Sequence, residues 1–283
     1  MRVAFLTALT MVAFAANSLL NRAALAGDLI DPGSFASLRV LAGAVMLVVL
    51  LAFRARSVPN VPRPDVPAAL ALTAYLAGFS FAYVALDAGL GALVLFGGVQ
   101  VTMFAGGLLG GERPPIARWL GMAVSLAGLA LLVRPGQAAG APLSAFALMA
   151  VAAVGWGVYS LIGRQTRDPL ASTTWNFVYA APAVLAIAIL AGGTKVSGPG
   201  VALAALSGAV TSGLGYALWY ALLPGLGATR AAVAQLSVPV IALVAGVVLL
   251  GEAITPLASL ASVLILGGIA LGLAPARARV TGK

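Results

Sequence analysis

A chain of 283 residues that is 62% hydrophobic and 8% charged, with a mean hydropathy of +1.09, carries more apolar surface than a water-soluble domain can hide, so its solvent is lipid. The net charge of +9 does not signal nucleic acid, because the basic residues are scattered at the ends of apolar runs, where they act as topology signals. Cysteine and histidine are both absent, which excludes disulfides, thiolate or imidazole metal sites and Cys-His or Ser-His-Asp catalysis.

About 20 apolar residues cross a bilayer, so the chain has room for roughly ten spans with short connections. They are predicted near 3–25, 33–53, 66–87, 89–110, 115–134, 142–163, 170–192, 199–222, 226–250 and 256–274. The first run, with Arg2 ahead of it and Ala24-Leu25-Ala26 behind, has the look of a secretory leader. It is nevertheless long enough to span, and it matches the run around Trp156 to Arg164, so it is read as the first span. Turn chemistry separates the runs at Asp31-Pro32-Gly33, Pro59 to Pro67, Pro114-Pro115, Arg134-Pro135-Gly136, Asp168-Pro169, Gly198-Pro199-Gly200 and Thr255-Pro256. Proline at the first helical position behind Asp or Thr marks a helix start.

The second half of the chain repeats the first. Gly89-Leu90-Gly91-Ala92 precedes an apolar run that ends at Gly111-Glu112, and Gly225-Leu226-Gly227-Ala228 precedes one that ends at Gly251-Glu252. The next runs carry Gly128-Leu129-Ala130-Leu131 and Gly268-Ile269-Ala270-Leu271. Ser18-Leu19-Leu20-Asn21-Arg22 and Ser160-Leu161-Ile162-Gly163-Arg164 close the first run of each half. Five spans per half is an odd number, so the second copy is inverted in the membrane. The expected fold is all-α and integral to the membrane: ten transmembrane helices as two inverted five-helix repeats, residues 1–137 and 138–283. That is the architecture of an alternating-access carrier.

With the N-terminus cytoplasmic, twelve of the 16 basic residues fall on the inner side. Only Arg22, Arg134 and Lys195 fall outside, and Arg39 lies within the second span. This bias places both termini inside and supports an odd number of spans per half.

The paired Gly-Glu ends, the Gly-Leu-Gly-Ala starts, Ser237-Val238-Pro239 and Arg39 in the second span resemble the drug/metabolite transporter superfamily, in its EamA-type branch of two five-helix repeats, over essentially the whole chain. Its amino-acid exporters, an aromatic amino acid exporter among them, are the nearest kind. The resemblance implies export across a bacterial inner membrane by alternating access, with a central cavity lined mainly by the third, fourth, eighth and ninth spans. It implies no cofactor and no metal. The expected partners are a small-molecule substrate, an amino acid first, and the lipid bilayer, with the chain a monomer or homodimer. A carrier of lipophilic drugs, sugars or another metabolite class would share the same architecture.

Within the spans, Tyr75, Phe79 and Tyr83 recur every fourth residue and stack on one side of the third helix. The corresponding eighth span has Tyr216, Trp219 and Tyr220. These aromatics are either packing and lipid contacts or the wall of a cavity for an apolar side chain. Gln100 and Gln235, near-equivalent at mid-depth, either bond between helices or join Asn17 to receive the polar end of a substrate, with Trp156 closing the pocket. Pro239 frees a backbone carbonyl and offers a hinge. Arg39 is either a salt bridge or gate, with Asp87 and Glu252 toward the same face as partners, or a contact for a substrate carboxylate. Glu112 and Glu252 are expected to face the amides of the helix that follows each, with substrate or proton binding as the other reading. The first helix offers only Asn17 and Asn21, and no carboxylate occupies the middle of a span. A simple carboxylate proton exchanger and an intramembrane enzyme are both disfavoured. The small-residue pairs Gly121 and Ser125, and Gly268 and Gly272, form either a packing face within the chain or a dimer surface.

Overall fold

A computed structural model describes residues 2–55, 61–111, 114–132, 141–163, 166–235 and 237–273, with 132, 223–225, 227–233 and 273 described by backbone alone. Among the described residues the chain forms ten helices: α1 (Arg2–Ala26), α2 (Pro32–Ala55), α3 (Val66–Ala82), α4 (Ala88–Leu109), α5 (Ile116–Leu132), α6 (Leu143–Gly163), α7 (Pro169–Ala191), α8, α9 (Ser237–Leu250) and α10 (Pro256–Leu273). Helix α8 is composite: an α-helical Gly198–Leu206, a π-helical Ser207–Leu214 and an α-helical Gly215–Gln235. The predicted break between 222 and 226 is absent, since the helical backbone runs to Gln235. Glycine tolerates a helix as well as a turn, so Gly225-Leu226-Gly227 does not oblige one.

The helix starts follow their local chemistry. Asp31, Asp65, Asp168, Ser197 and Thr255 each accept a hydrogen bond from the backbone amide three residues on, at 2.8–3.2 Å, and each is followed within two residues by proline. Each such cap stabilises its helix by about 0.5–2 kcal/mol. Helix α7 ends on Gly192 in the left-handed region at φ 70°, a conformation that glycine adopts without steric cost.

Among the described residues six helices are long and apolar enough to cross a membrane: α1, α2, α4, α6, α7 and the Gly198–Leu222 stretch of α8. The outward faces of the bundle are apolar, with Val45, Leu70, Val154, Val248 and Val263 among the exposed side chains, while Asn17, Asn21, Arg39, Ser207 and Ser212 are buried. Polar groups inside and hydrocarbon outside is the arrangement lipid imposes.

Helix pairing is close: α5 packs on α10, α2 on α7 and on α8, α3 on α6, and α4 on α6 and α9. Small residues permit it. A Cβ at Gly121 would strike the backbone of Gly268 and Gly272, and Ser125 Oγ donates to the Ile265 carbonyl at 3.1 Å. Of the two readings of these small residues, packing within the chain is the one the structure uses; the dimer surface gives way.

The connections gather at two ends. At one, an antiparallel bridge joins Ile30 to Val196, and Lys195 pairs with Asp28. The α3–α4 and α9–α10 connections meet at this same end, through Arg22, Asp87 and Glu252. At the opposite end Arg54, closing α2, pairs with Asp168 ahead of α7.

Candidate functional site

The π-helical segment carries the polar side of the bundle core. A π turn holds more residues than an α turn and recurs at functional sites; here it presents Ser207, Thr211 and Ser212 to α1 and α2. Ser207 Oγ donates to Asn17 Oδ1 at 2.6 Å, and Thr211 Oγ1 lies 3.1 Å from the same oxygen. Gly208 rests on the carbonyl of Arg39, where a Cβ would clash with backbone. Helix α1 supplies Phe14, Asn17, Ser18 and Asn21, spaced along one face. Asn21 donates to the Asn17 carbonyl at 2.8 Å and accepts from Ser80 of α3 at 3.1 Å.

Arg39 is fully buried at 0% exposure. Its Nε donates to Ser212 Oγ at 3.0 Å, and its Nη2 donates to the hydroxyls of Tyr75 at 2.9 Å and Tyr216 at 3.2 Å. The guanidinium carbon lies 5.1 Å from the Tyr75 ring centre and 4.9 Å from that of Phe79, within cation–π range. Among the described residues Nη1 has no hydrogen-bond partner.

The salt bridge expected between Arg39 and Asp87 or Glu252 is absent. Arg22 takes both carboxylates instead, at 2.8 Å to Asp87 and 3.3 Å to Glu252, and also donates to the Val84 carbonyl at 3.2 Å. Arg22 stands at the end of α1, beside both connections, whereas Arg39 lies two turns into α2. Glu252 is a cap, but of α4 and not of the helix that follows it: both its oxygens accept the Ala88 amide, at 2.8 and 2.9 Å. Thr255 already caps α10. Burial is the largest influence on the Glu252 carboxyl and raises its pKa, against the lowering effect of the Ala88 amide and of Arg22. At the opposite end Asp168 is held below its ordinary range, first by its bond to Arg54.

The predicted aromatic faces come together. Ring centres of Tyr75 and Phe79 are 5.3 Å apart and those of Phe79 and Tyr83 4.7 Å. Trp156 sits between the two faces, 4.9 Å from Tyr75 and 4.7 Å from Tyr216. Phe14, absent from the expected set, touches Trp156, Tyr216 and Trp219. Tyr83 and Tyr220 are buried toward the ends: Tyr83 bonds to the Ala88 carbonyl, and Tyr220 packs on Tyr159 and Gly163.

Phe14, Asn17, Ser18, Tyr75, Phe79, Leu95, Phe96, Trp156 and Tyr216 surround a cavity of about 10 Å³, room for about one water molecule. Its walls come from α1, α3, α4, α6 and α8, with Arg39 of α2 behind the tyrosines; α9, an expected contributor, supplies none of these. Gln100 and Gln235 bond to no member of the cluster: Gln100 is half-buried on α4, and Gln235 is buried with Oε1 unpaired. Pro239 is buried near the start of α9 and has no amide hydrogen to donate to the carbonyl four residues before it. Residue 236 lies outside the described residues, and so does the junction at which the expected hinge would act. Glu112 lies outside the described residues. Sequence reasoning missed Ser18, Ser207, Thr211 and Ser212, whose only signal was hydroxyl side chains at helical spacing within apolar runs.

Among the described residues no group of His, Cys, Asp or Glu could hold a metal ion. Residues 143–273 match the EamA-like transporter family. An uncharacterized protein of Pseudomonas aeruginosa is 50% identical over 276 residues, 97% of this chain and 95% of that protein. A probable amino-acid metabolite efflux pump of Salmonella typhimurium is 27% identical over 246 residues, 79% of this chain and 82% of that protein. A solved crystal structure of a protein aligns with a TM-score of 0.68 at 21% identity, covering 100% of this chain and 99% of that one, and so shares the fold. With its multi-span helical bundle, its buried polar and aromatic core and these relatives, the chain belongs to the EamA-like transporter family.

Proposed function

We propose that this protein is an alternating-access carrier that exports small metabolites, amino acids foremost, across a bacterial inner membrane, with both termini cytoplasmic. All ten helices cross the membrane, as two inverted five-helix units over 1–137 and 138–283. The pairing of α2 with α7, α4 with α9 and α5 with α10 supports this, because an inverted repeat brings equivalent helices together. Amino-acid export is supported by the name of the Salmonella relative.

The observation that carries the reading is the buried cluster around Trp156. A row of aromatic rings beside Asn17, Ser18 and Arg39 gives an apolar body and a polar end to any ligand, deep in a bundle whose surface is hydrocarbon. The cavity is closed to about 10 Å³, so a substrate enters only by moving its walls. At one end the Arg22, Asp87 and Glu252 network ties α1 to the α3–α4 and α9–α10 connections, and on the proposed topology that end is external.

Counterflow in proteoliposomes tests this: liposomes preloaded with unlabelled amino acids are followed for uptake of labelled tryptophan, phenylalanine, threonine or methionine. Saturable uptake above empty liposomes, reduced at least severalfold by Trp156→Ala and Trp219→Ala in folded protein, is expected. Absence of exchange by folded wild type would sink the amino-acid assignment and move the substrate to another metabolite class. Exchange undiminished in both variants would remove the aromatic cluster from the site.

A further inference from the structure

Arg39 is a buried cation with no counterion among the described residues. The six described carboxylates are engaged elsewhere: Asp28 with Lys195, Asp87 and Glu252 with Arg22, Asp168 with Arg54, and Asp31 and Asp65 as helix caps. A guanidinium in this position is costly unless an anion joins it. The hydroxyls and rings around it offset only part of that cost.

The surroundings have donors to spare. Among the described residues Arg39 Nη1 is buried without a partner, and Ser18 lines the cavity with its hydroxyl buried near Tyr83. The Tyr75 oxygen receives bonds from Arg39, Tyr216 and Asn17, at 2.9, 2.9 and 3.3 Å. One phenolic proton joins Tyr216 to Tyr75. Surplus donors and one net positive charge are complementary to a carboxylate, which is acceptor-only when ionised and bonds a guanidinium strongly. Apart from Asn17, the other walls, Phe14, Phe79, Leu95, Phe96 and Trp156, are apolar, so the group attached to that carboxylate is apolar. No carboxylate stands in the cluster to receive an ammonium.

Resting on the carrier reading, we propose that Arg39, with Ser18 and Tyr75, is the receptor for a carboxylate on the substrate. The transported class is then small monocarboxylates with an apolar or aromatic body, in which an α-ammonium is tolerated and not required. Binding supplies the missing counterion and separates the walls at once, giving the substrate a reason to favour a state other than the closed one.

The test uses purified full-length protein in nanodiscs and three probes with one phenyl body: phenylalanine, its amino-free analogue hydrocinnamate, and phenylalaninamide. Ligand-induced thermal shifts are measured for wild type, Arg39→Lys, Arg39→Gln and Ser18→Ala. The expected result is that both carboxylates bind wild type and the amide binds at least about tenfold more weakly, in line with a bond to a charged group. Arg39→Gln should lose the carboxylates by a similar factor, while Arg39→Lys keeps part of the affinity. Should Arg39→Gln not fold, Ser18→Ala and the carboxylate-to-amide ratio in wild type decide. Equal binding of amide and carboxylate, unchanged carboxylate affinity in folded Arg39→Gln, or no binding of either carboxylate to wild type would each overturn the proposal. Hydrocinnamate bound through Arg39 without amino-acid counterflow would sink amino-acid export and leave the receptor standing. Counterflow that persists in Arg39→Gln would do the reverse.

Discussion

Glu252 and Asp168 are both ion-paired carboxylates in connections between helices, yet burial sets them apart. The Glu252 carboxyl is raised above its ordinary 4.5 because burial opposes its charge, so the native state holds its proton more tightly than the unfolded chain. The margin of wild type over Glu252→Gln is therefore greatest in acid and shrinks as pH rises through the raised value. Asp168 is lowered from 3.8 by Arg54; its contribution is present above the ordinary value and disappears as pH falls through the lowered one. Wild type should accordingly lose its margin over Asp168→Asn in acid. Unfolding of the three proteins in detergent, scanned from about pH 4 to about pH 8, reads both slopes, and slopes of the same sign would contradict this assignment. The Asp168 effect will be small, since its side chain is 46% exposed. At this scale the sequence showed that Arg39 was isolated within a span and that aromatics recurred on α3. It did not show who meets Arg39. Its Ser212 and Tyr216 partners lie 173 and 177 positions away, on and just beyond a π turn, and that register shift leaves no mark on hydrophobic periodicity.

Helix boundaries were legible wherever a side chain fixes them. Asp-Pro and Thr-Pro pairs place the starts of α2, α7 and α10, since the cap side chain and the proline ring both act on the first turn. Glycine signals were not, because glycine has no side chain to choose between turn and helix: Gly225-Leu226-Gly227 lies within helical backbone. Gly121 and Gly208 are among the glycines required by close approach. Gly121→Leu should open the α5–α10 seam and lower stability by about 1–3 kcal/mol, seen as a lower melting temperature with the helix content of the folded protein retained. Gly208→Ala acts elsewhere, forcing the π segment away from the Arg39 carbonyl. Its expected signature is a loss of counterflow larger than its loss of stability. Equal losses would make Gly208 a packing residue alone.

At the scale of the whole molecule, hydropathy alone placed the chain in lipid, whereas the pairing of α2, α4 and α5 with α7, α9 and α10 was not read from the sequence. How the connections are tied was hidden: Arg22 bridging Asp87 and Glu252 joins residues that basic-residue counting assigns only to a side. The account makes the cluster around Trp156 a site that opens first to one face of the membrane and then to the other. The natural chain has no cysteine, so Ser18→Cys places one thiol in the cavity wall. Its labelling by an impermeant maleimide, applied separately to right-side-out and inverted vesicles, tests that claim most directly. The account predicts slow labelling from each face, with excess substrate slowing both reactions. Fast labelling from both faces that substrate leaves unchanged would describe an open pore. Labelling from one face only would leave a buried cluster that never alternates, and either result would contradict it.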